Sequence, residues 1–588
     1  MQQDLATRDA VAFEPAYQTE TTVAAALVGH LAELGVEQAY GVIGGAIGVL
    51  FDALEESPIE VRHFRHESGA AFAAAEAYFA SGKPAVVFTT TGPGTLNALT
   101  GLTAARWEGA KVILISGSTS APQRGRWATQ ETSAYTLPQD ALYGTGPLFD
   151  FALRLEHAAE FPELARRLSI GLARPGGFVA HVGLPIGLQA SRVDLPRHRP
   201  RTTLAVPVAP AEEVRYCAGL LQADPFAIWV GFGARHAGDL VLELAQRARA
   251  RVFCSPRAKG VFPEHHELFV GVTGIGGHSS VAEYMTQMQP RRVLVLGSRL
   301  GEATSFWDPD LEPAEGFIHV DVDPTVPGVA YPDCHTHGVQ AEIGRFLEAL
   351  LEHFPRREDE ARILAGPHHP RWSELEATAE QDGEPAGVVR PQAVMRAVQR
   401  HVIDGSEALV MSECGNAFAW CNHYLRFPAA ARYRVSTLFG SMGHCAAGVV
   451  GAALARGGKA VAVVGDGSML MNSEISTAVQ YRAPAVWVVL NDAGYGMCES
   501  SQRVLGLATG QLSMPCVDFV ALARAMGADG ARVERAADLD GAFEQAMAAE
   551  LPFVIDVRVD PGEPSPLMER FESLLKQGSS KSVAGWDL

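Results

Sequence analysis

Two acidic residues follow apolar runs in the last third of this 588-residue chain. The run 461–464 leads into the sequence GDGS and the run 486–490 leads into NDAG, with an amphipathic helical segment between them. The strands of such a unit end side by side at one edge of a parallel sheet, so we expect Asp466 and Asp492 to meet. Carboxylates suit a hard divalent cation, and a helix that starts at Gly467 favours an anion beside it. The pattern therefore predicts a metal-bridged diphosphate.

The same residues resemble the diphosphate motif of thiamine diphosphate (ThDP) enzymes, in which GDG is followed by an asparagine pair. In that family Mg²⁺ is held by the Asp of GDG, the second residue of the pair and the carbonyl two positions later. The resemblance implies Asp466, Asp492 and Gly494 as Mg²⁺ ligands. The pair reads Asn491-Asp492 here, so the choice between these two residues stays open. An ordinary strand–helix turn can also contain GDG, so the rest of the chain must decide.

Glu67 stands at the first turn of an alanine-rich helix, after a short strand. A carboxylate there has an ordinary explanation, because the helix dipole favours acidic residues at the first turn. The order of HE, alanine-rich helix, GKP, strand and TGPG followed by Asn97 resembles the pyrimidine-binding domain of ThDP enzymes. The resemblance implies that Glu67 activates the cofactor. It also implies a homodimer or homotetramer with active sites at the subunit interface, since in the family this acid and the diphosphate site come from different subunits.

Residues 439–443, FGSMG, resemble the family segment that bends the cofactor. The carbonyl of Gly440 would accept a hydrogen bond from the cofactor's amino group, and Met442 would wedge between its rings, although a methionine also fills ordinary core gaps. The catalytic residues implied are Glu67, Gly440 and Met442. The cofactor-binding residues implied are Pro93, Asn97, Gly415, Asn416, Gly440, Met442, Gly465, Asp466, Gly467, Ser468, Asp492, Gly494, Tyr495, Gly496 and Met497.

The predicted reaction is carboligation. Decarboxylases of the pyruvate type carry a His-His pair in the first domain and a Glu near the metal motif, whereas this chain has no such pair there and has Cys498 at the position of that Glu. Without these proton donors, release of a free aldehyde lacks its acid catalyst. The stretch 128–132, ATQET, resembles the FQET stretch of acetolactate synthases, whereas Ser118 stands where those enzymes carry Gln and favours a different acceptor.

The resemblance therefore implies an acetolactate synthase-like enzyme that activates a 2-oxoacid such as pyruvate and transfers the acyl unit to a second carbonyl. The alternative is a 2-oxoacid decarboxylase or an acyl-transferring or C–C lyase relative. His444 is expected either to move protons at the substrate or to be a hydrogen-bonded structural residue. The candidate substrate contacts are Ile43, Gly44, Ser118, Gln130, His444, Cys498 and Ser501.

The predicted fold class is α/β, with three doubly wound parallel-sheet domains. Predicted boundaries are an N-terminal arm 1–18, a pyrimidine-binding domain 19–190, a linker 191–208, a central Rossmann-like domain 209–355, a linker 356–389, a diphosphate-binding domain 390–562 and a C-terminal tail 563–588. In the central domain, the sequences GSR at 297–299 and DVDP at 321–324 resemble the layout of an FAD site. Whether FAD is bound stays open.

Composition limits the remaining classes. The formal net charge of -19 argues against nucleic acid or an anionic membrane as partner. Eight scattered cysteines without a CxxC pair fit a reducing cytoplasm, and no apolar run has transmembrane length. An NAD-dependent oxidoreductase would require a complete GxGxxG, which the chain does not contain. A non-catalytic relative would be expected to lack Glu67 or Asp466, and both are present.

Overall fold

The computed structural model describes residues 17–131, 142–196, 202–355, 370, 387–471 and 474–577. Within these ranges the chain forms three six-stranded sheets, and every neighbouring pair of strands in them is parallel. Helices flank the sheets, so the predicted class of three parallel-sheet α/β domains is confirmed. None of the helices in these ranges has the length and apolarity needed to cross a bilayer.

The first domain carries a sheet of order β3-β2-β4-β5-β7-β6. The strands of this sheet are β2 (Gln38–Gly41), β3 (Glu60–His63), β4 (Ala85–Thr89), β5 (Lys111–Ser118), β6 (Phe151–Arg154) and β7 (Phe178–Pro185). A separate two-stranded ribbon consists of β1 (Tyr17–Thr22) and β8 (Arg192–Pro196). Its helices are Val23–Glu33, Gly48–Glu55, Glu67–Ser81, Pro93–Glu108, Phe161–Ala173 and Ile186–Gln189. The central strands β4, β5 and β7 are buried along their length, as expected for strands covered on both faces.

Part of the segment expected to be a linker is a strand. β8 pairs antiparallel with β1, which begins inside the predicted arm, so the two form a ribbon beside the first domain. The alternation in β8 explains this, because Val193 and Leu195 point to one side and join the apolar core under the helix Val23–Glu33. Residues 1–16, 197–201, 356–369, 371–386 and 578–588 of the predicted arm, linkers and tail lie outside the described residues.

The central domain has the strand order β11-β10-β9-β12-β13-β14. Its strands are β9 (Phe226–Val230), β10 (Arg251–Cys254), β11 (Phe269–Val272), β12 (Arg292–Leu296), β13 (Phe317–Asp321) and β14 (Thr336–Gln340). Its helices are Ala211–Ala223, Gly238–Ala248, Ser279–Met288, Glu302–Ser305 and Ile343–Leu351. The carboxyl ends of β9, β12 and β13 border a cavity against the first domain.

The third domain has the strand order β16-β15-β17-β18-β20-β19. Its strands are β15 (Leu409–Ser412), β16 (Tyr433–Val435), β17 (Ala460–Gly465), β18 (Ala485–Asn491), β19 (Asp529–Val533) and β20 (Phe553–Arg558). Its helices are Pro391–Ala397 with its π-helical continuation Val398–Asp404, Asn416–Tyr424, His444–Arg456, Asp466–Met471, Ile475–Gln480, Gly496–Val504, Phe519–Ala525, Leu539–Ala548 and Met568–Lys576.

The first and third domains pack through two helices rich in small residues, Glu67–Ser81 and His444–Arg456. Gly451 marks the closest approach, because a Cβ added there would lie under 3.0 Å from the carbonyl oxygen of Ala73. Alanine and glycine let the two helix backbones approach closely while their apolar surface is removed from water. This contact fixes how the first domain sits on the third within one chain.

Candidate active site

A cavity of about 500 Å³ opens where the strands of the third-domain sheet end. Its wall comes from the third domain and from three central-domain residues, Ile275, Glu302 and Ala303. Among the described residues, none from the first domain lines it. The predicted cofactor residues on this wall are Gly415, Asn416, Gly440, Met442, Gly465, Asp466, Gly467, Ser468, Asp492, Gly494, Tyr495, Gly496 and Met497.

Asp466 and Asp492 end the adjacent parallel strands β17 and β18 and share this wall. Asp466 Oδ1 accepts from the backbone nitrogen of Gly467 at 2.7 Å, and Asp492 Oδ1 accepts from that of Gly494 at 3.2 Å. Burial raises the pKa of Asp466, and burial together with the charge of Asp466 raises the pKa of Asp492 to about 7. A buried carboxylate, Asp466, and a half-buried one, Asp492, which repel one another, form a site that a divalent cation would stabilise.

Asn491 points away from the cavity. Its side-chain amide donates to Asp556 Oδ1 at 2.8 Å and to the carbonyl of Val517 at 3.1 Å, and its oxygen accepts from Arg558 Nη1 at 2.7 Å. The side chain is fully buried and its hydrogen-bonding groups are engaged by protein. Of the pair left open by the sequence, Asp492 is therefore the residue that faces the cavity.

Three helices, Asn416–Tyr424, Asp466–Met471 and Gly496–Val504, begin at the cavity wall. Free backbone N–H groups at helix starts favour an anion such as a diphosphate. Glycines keep these starts close, because a Cβ on Gly496 would lie 3.0 Å from Asn416 Nδ2 and even closer to the carboxylate of Asp492. Gly415 has φ 86°, a left-handed conformation that a side chain would strain.

Met442 projects into the cavity over the GDG turn. Its Cε would lie 3.2 Å from a Cβ placed on Gly467, and Tyr495 covers the same glycine from another side at 3.1 Å. Gly440, two residues before Met442, has φ 60° and lines the same wall. The flexible thioether is therefore placed to press against a bound molecule without a backbone change.

These features fit ThDP with Mg²⁺. The paired carboxylates suit the cation, the helix starts suit the diphosphate, and the glycine turns leave room where side chains would fill the cavity. The wall also carries an apolar group, Met442, at the place where an organic ring would contact the protein.

Glu67 begins its helix in the first domain and is buried, with Asn97 Nδ2 donating to Glu67 Oε2 at 3.0 Å. Pro93 is the first residue of the helix that carries Asn97. None of these three residues lines the cavity of its own chain. The structure thus holds Glu67 in a defined position, but outside the wall that carries Asp466.

The first-domain candidates for substrate contact are likewise away from this cavity. Ile43 is 48% exposed, while Ser118 is buried. A Cβ on Gly44 would lie close to Thr90 Oγ1 at 2.7 Å, and Gln130 Oε1 accepts from Thr91 Oγ1 at 3.4 Å.

The structure places two third-domain candidates for substrate contact away from the wall of this cavity. His444 is buried, its Nε2 lies 2.8 Å from Glu76 Oε1 and its ring stacks on Phe72, because the first turn of its helix faces the first domain. Ser501 donates to the carbonyl of Met497 within its own helix at 2.8 Å and does not line the cavity. Cys498, on the preceding turn of that helix, does line it.

Several residues of the site were not predicted. Arg570, from the C-terminal helix Met568–Lys576, lines the cavity and pairs with Glu302 of the central domain. Glu474 accepts hydrogen bonds from the backbone nitrogens of Arg65 and His66, directly before Glu67. Contacts between residues hundreds of positions apart leave no local sequence pattern. For Glu474, its position shortly after the GDG motif was the signal that the sequence offered.

A second cavity, of about 920 Å³, lies between the central and first domains. Its wall includes the GSR and DVDP segments noted in the sequence, together with Arg257 and Glu108. Gly297 has φ 65°, and a Cβ there would lie 2.6 Å from the backbone of Gly233, so only glycine permits this close approach of two loops.

Three family models of thiamine pyrophosphate enzymes match the chain. The N-terminal TPP binding domain matches residues 21–137, the central domain matches 215–350 and the C-terminal TPP binding domain matches 413–557. The protein YdaP of Bacillus subtilis, described by its name as thiamine pyrophosphate-containing, is 30% identical over 560 residues, covering 93% of each chain.

Acetolactate synthases are among the relatives. The large subunit from Parasynechococcus marenigrum is 27% identical, covering 92% of this chain and 88% of the relative. The isozyme 3 large subunit of Escherichia coli K12 is 27% identical, covering 91% of this chain and 94% of the relative. These matches show a ThDP-dependent enzyme of the acyloin-forming transferase type. The prediction of an acetolactate synthase-like ThDP enzyme is thereby confirmed, and the chain belongs to the thiamine pyrophosphate enzyme family.

Proposed function

We propose that the protein is a Mg²⁺- and ThDP-dependent carboligase that activates a 2-oxoacid such as pyruvate and transfers its acyl unit to a second carbonyl compound. The observation that carries the proposal is the cavity in which Asp466, Asp492 and Met442 share one wall with the thiol of Cys498. The wall thus combines a cation and diphosphate site with a position where a decarboxylase would carry an acid. The relatives named acetolactate synthase support the same reaction type.

In this proposal Asp466, Asp492 and the carbonyl of Gly494 hold Mg²⁺. The three helix starts around Asn416, Gly467 and Gly496 would receive the diphosphate, as expected for anions at free backbone N–H groups. ThDP, when bound, supplies the carbon nucleophile and the electron sink for loss of carbon dioxide from a 2-oxoacid. The carbonyl of Gly440 would accept a hydrogen bond from the cofactor, and the side chain of Met442 would pack against it.

Glu67 is proposed as the acid that hydrogen-bonds the cofactor ring and stabilises its basic tautomer. Asn97 orients the carboxylate through the hydrogen bond at 3.0 Å. Because Glu67 does not line the cavity of its own chain, a neighbouring subunit must supply it, as in a homodimer or homotetramer. Large apolar side chains left exposed around the cavity support a covered surface there: Phe439, Leu470, Met471 and Tyr495.

The acceptor binds beside Cys498 and Met497 in this proposal, on the helix Gly496–Val504. A thiol is a weaker acid than a carboxylic acid and donates its proton more slowly at neutral pH. This position therefore offers no fast proton donor for release of an aldehyde product. Capture by a second carbonyl therefore competes well with release of the free aldehyde. This is the physical reason to favour carboligation over simple decarboxylation.

The central cavity is proposed as a dinucleotide site, with FAD as the candidate ligand. Its volume of about 920 Å³, the close loops at Gly233 and Gly297 and the cation of Arg299 support a phosphate-containing ligand. The test is the absorbance spectrum of the supernatant after the purified protein is denatured. A flavin spectrum supports FAD, whereas its absence after reconstitution with excess FAD contradicts it.

Product analysis tests the main proposal. The protein is incubated with ThDP, Mg²⁺ and pyruvate, alone and with a panel of aldehydes, ketones, 2-oxoacids and phosphate, and products are read by mass. We expect products that join the acyl unit to an acceptor. Acetaldehyde as the main product with every acceptor would show the decarboxylase alternative, and acetyl phosphate would show an acyl-transferring relative. The matched control is Glu67→Gln, which should form none of these products at a comparable rate.

A further inference from the structure

One short segment separates the two cavities. Residues 436–442 run from the end of β16 to the start of the helix His444–Arg456. Ser436, Gly440 and Met442 line the cofactor cavity, whereas Thr437 and Leu438 line both that cavity and the central one. The position of Gly440 and Met442 is therefore set by whatever holds this segment.

Glu108, the last residue of the helix Pro93–Glu108, holds it from the first domain of the same chain. Glu108 Oε1 accepts from Ser436 Oγ at 2.9 Å and from the backbone nitrogen of Leu438 at 3.1 Å. Ser436 Oγ in turn accepts from the backbone nitrogen of Gly440 at 3.2 Å. A single carboxylate oxygen thus connects the first domain, through one hydroxyl, to the glycine at the cofactor wall.

The other oxygen of Glu108 is held by the central domain. Arg257 Nη1 lies 2.9 Å from Glu108 Oε2, and Arg257 Nη2 donates to the backbone carbonyl of Glu108 at 3.0 Å. The guanidinium stacks on Phe232 at 4.2 Å, which fixes its plane. Burial alone would raise the pKa of Glu108, but the charges of Arg257 and Arg434 hold it below its usual value, so the carboxylate is ionised.

Hydrogen bonds to an ionised and fully buried carboxylate are shorter and stronger than those between neutral groups. The two hydrogen bonds that Glu108 accepts from residues 436–442 therefore restrict the motion of this segment more than packing alone would. None of the atoms of Glu108 needs to touch the cofactor for this effect, because Ser436 and Leu438 transmit it.

We infer that Glu108 is a positioning residue for the cofactor wall, which clamps residues 436–442 so that Gly440 and Met442 are in place before ThDP binds. The inference rests on the proposed function for its view of what Gly440 and Met442 contact. Each cofactor site then depends on the first domains of two subunits. The subunit that carries Asp466 supplies the clamp through its own Glu108, and its partner supplies the acid, Glu67.

The test compares Glu108→Ala and Glu108→Gln with Glu264→Gln as the matched control. Glu264 is also a buried carboxyl group that pairs with a buried cation, Lys259, and accepts from backbone nitrogens, those of Gly260 and Phe427, but none of these partners belongs to the segment. ThDP affinity is measured by calorimetry at saturating Mg²⁺, and backbone motion is measured by hydrogen exchange of peptides that cover 436–442 in the protein without ThDP.

We expect Glu108→Ala to weaken ThDP binding by about tenfold or more, the effect of losing a charge-assisted hydrogen bond, and to speed exchange in 436–442. Glu108→Gln should have a smaller effect, because its carboxamide oxygen still accepts from Ser436 and Leu438. Glu264→Gln should lower the thermal midpoint while leaving ThDP affinity and exchange in this segment unchanged. If Glu108→Ala fails to fold, Ser436→Ala takes its place in the test. This variant removes no charge and should also weaken ThDP binding.

Two results would overturn the inference. The first is wild-type ThDP affinity in Glu108→Ala or, where that variant does not fold, in Ser436→Ala. The second is an equal loss of ThDP affinity in Glu264→Gln, which would indicate a general loss of stability. Failure of the proposed function would look different, because the unmodified protein itself would then show no ThDP binding.

Discussion

Asp466 and Asp492 impose an electrostatic cost on one another that a cation in the cavity would relieve. Asp466→Asn deletes one of the two charges that we propose as Mg²⁺ ligands, so we expect Mg²⁺ affinity, measured through Mg²⁺-dependent ThDP binding, to fall by at least about tenfold. The control is Asp556→Asn, a buried carboxylate on the next strand, β20, that hydrogen-bonds Asn491 and does not line the cavity. Equal affinities in Asp466→Asn and the unmodified protein would contradict the assignment.

Glu67 gives a second prediction at the scale of one residue. Glu67→Gln keeps the size of the side chain and its contact with Asn97 but removes the acid. We expect ThDP to remain bound and exchange of its C2 proton for deuterium, followed by NMR after acid quench, to slow by about 10²–10⁴-fold, the usual contribution of a positioned acid or base. Unchanged exchange would remove Glu67 from its proposed role.

The sequence could supply the metal motif, but not the choice between Asn491 and Asp492. Apolar runs locate the ends of buried parallel strands, so β17 and β18 and the acids that follow them could be predicted. Which way each side chain points depends on partners such as Arg558 and Val517, which come from other parts of the chain. For His444 the sequence left two roles open, and its contact with Glu76 fits the hydrogen-bonded structural one. Sequence alone does not tell which neighbour a helix start will face.

At the scale of elements, the two helices Glu67–Ser81 and His444–Arg456 depend on their glycines. Gly451→Ala would place a methyl group against the backbone of Ala73, so we expect a loss of about 1–3 kcal/mol in the free energy of unfolding, as for overpacked cores. Gly541→Ala is the control, because nothing lies within 4 Å of an added Cβ in the helix Leu539–Ala548, and it should stabilise by about 0.5–1 kcal/mol. Chemical denaturation measures both, and equal effects would contradict the packing argument.

A buried ionic cluster joins the same two helices. Arg434 forms two hydrogen bonds with Glu76, both at 2.9 Å, and His444 adds a third contact at 2.8 Å. Burial would lower the pKa of His444, but the hydrogen bond to Glu76 and the charges of Glu76, Glu413 and Glu108 raise it above 6.5. The folded protein therefore favours the imidazolium more than the unfolded chain does.

This cluster predicts a pH dependence of stability. A His whose pKa is raised on folding stabilises fully below pH 6.5, and this contribution is lost as pH rises through the folded-state value. We therefore expect unfolding free energy to fall more steeply above pH 6.5 in the unmodified protein than in His444→Phe. His181→Asn is the control, because burial lowers the pKa of His181 to about 4 and it is neutral on both sides of folding in this range. Parallel slopes in all three proteins would contradict the prediction.

A strand that buries few apolar residues leaves no clear pattern in the sequence, as β8 shows within the segment predicted to be a linker. β14 buries only Val339 fully, and β8 is one half of a two-stranded ribbon, so neither carries the long apolar run that identifies β5 or β18. The helix Met568–Lys576 could be predicted as a short C-terminal helix. Its role in covering the cavity depends on Arg570 and Glu302, which are 268 positions apart.

At the scale of the whole molecule, the proposed catalytic site combines Glu67 with a wall that it does not line within one chain. The wall with Asp466 includes no described residue of the first domain, and the apolar side chains of Leu470 and Met471 beside it are 46% and 59% exposed. Exposed apolar groups next to this cavity support the proposal that another copy of the chain covers this surface. Complementation between two inactive variants can show this directly.

Glu67→Gln and Asp466→Asn should each abolish product formation alone. If each site takes its acid from one subunit and its metal ligand from the other, a mixed dimer holds one site with both defects and one site with neither. Mixed dimers isolated by two different affinity tags should then recover about half of the unmodified activity, since one of the two sites of a symmetric dimer is intact. If Glu67 and Asp466 of the same chain met, every site would carry one defect and no activity would return. The control pairs Glu67→Gln with a second Glu67→Gln chain, which stays inactive under either arrangement.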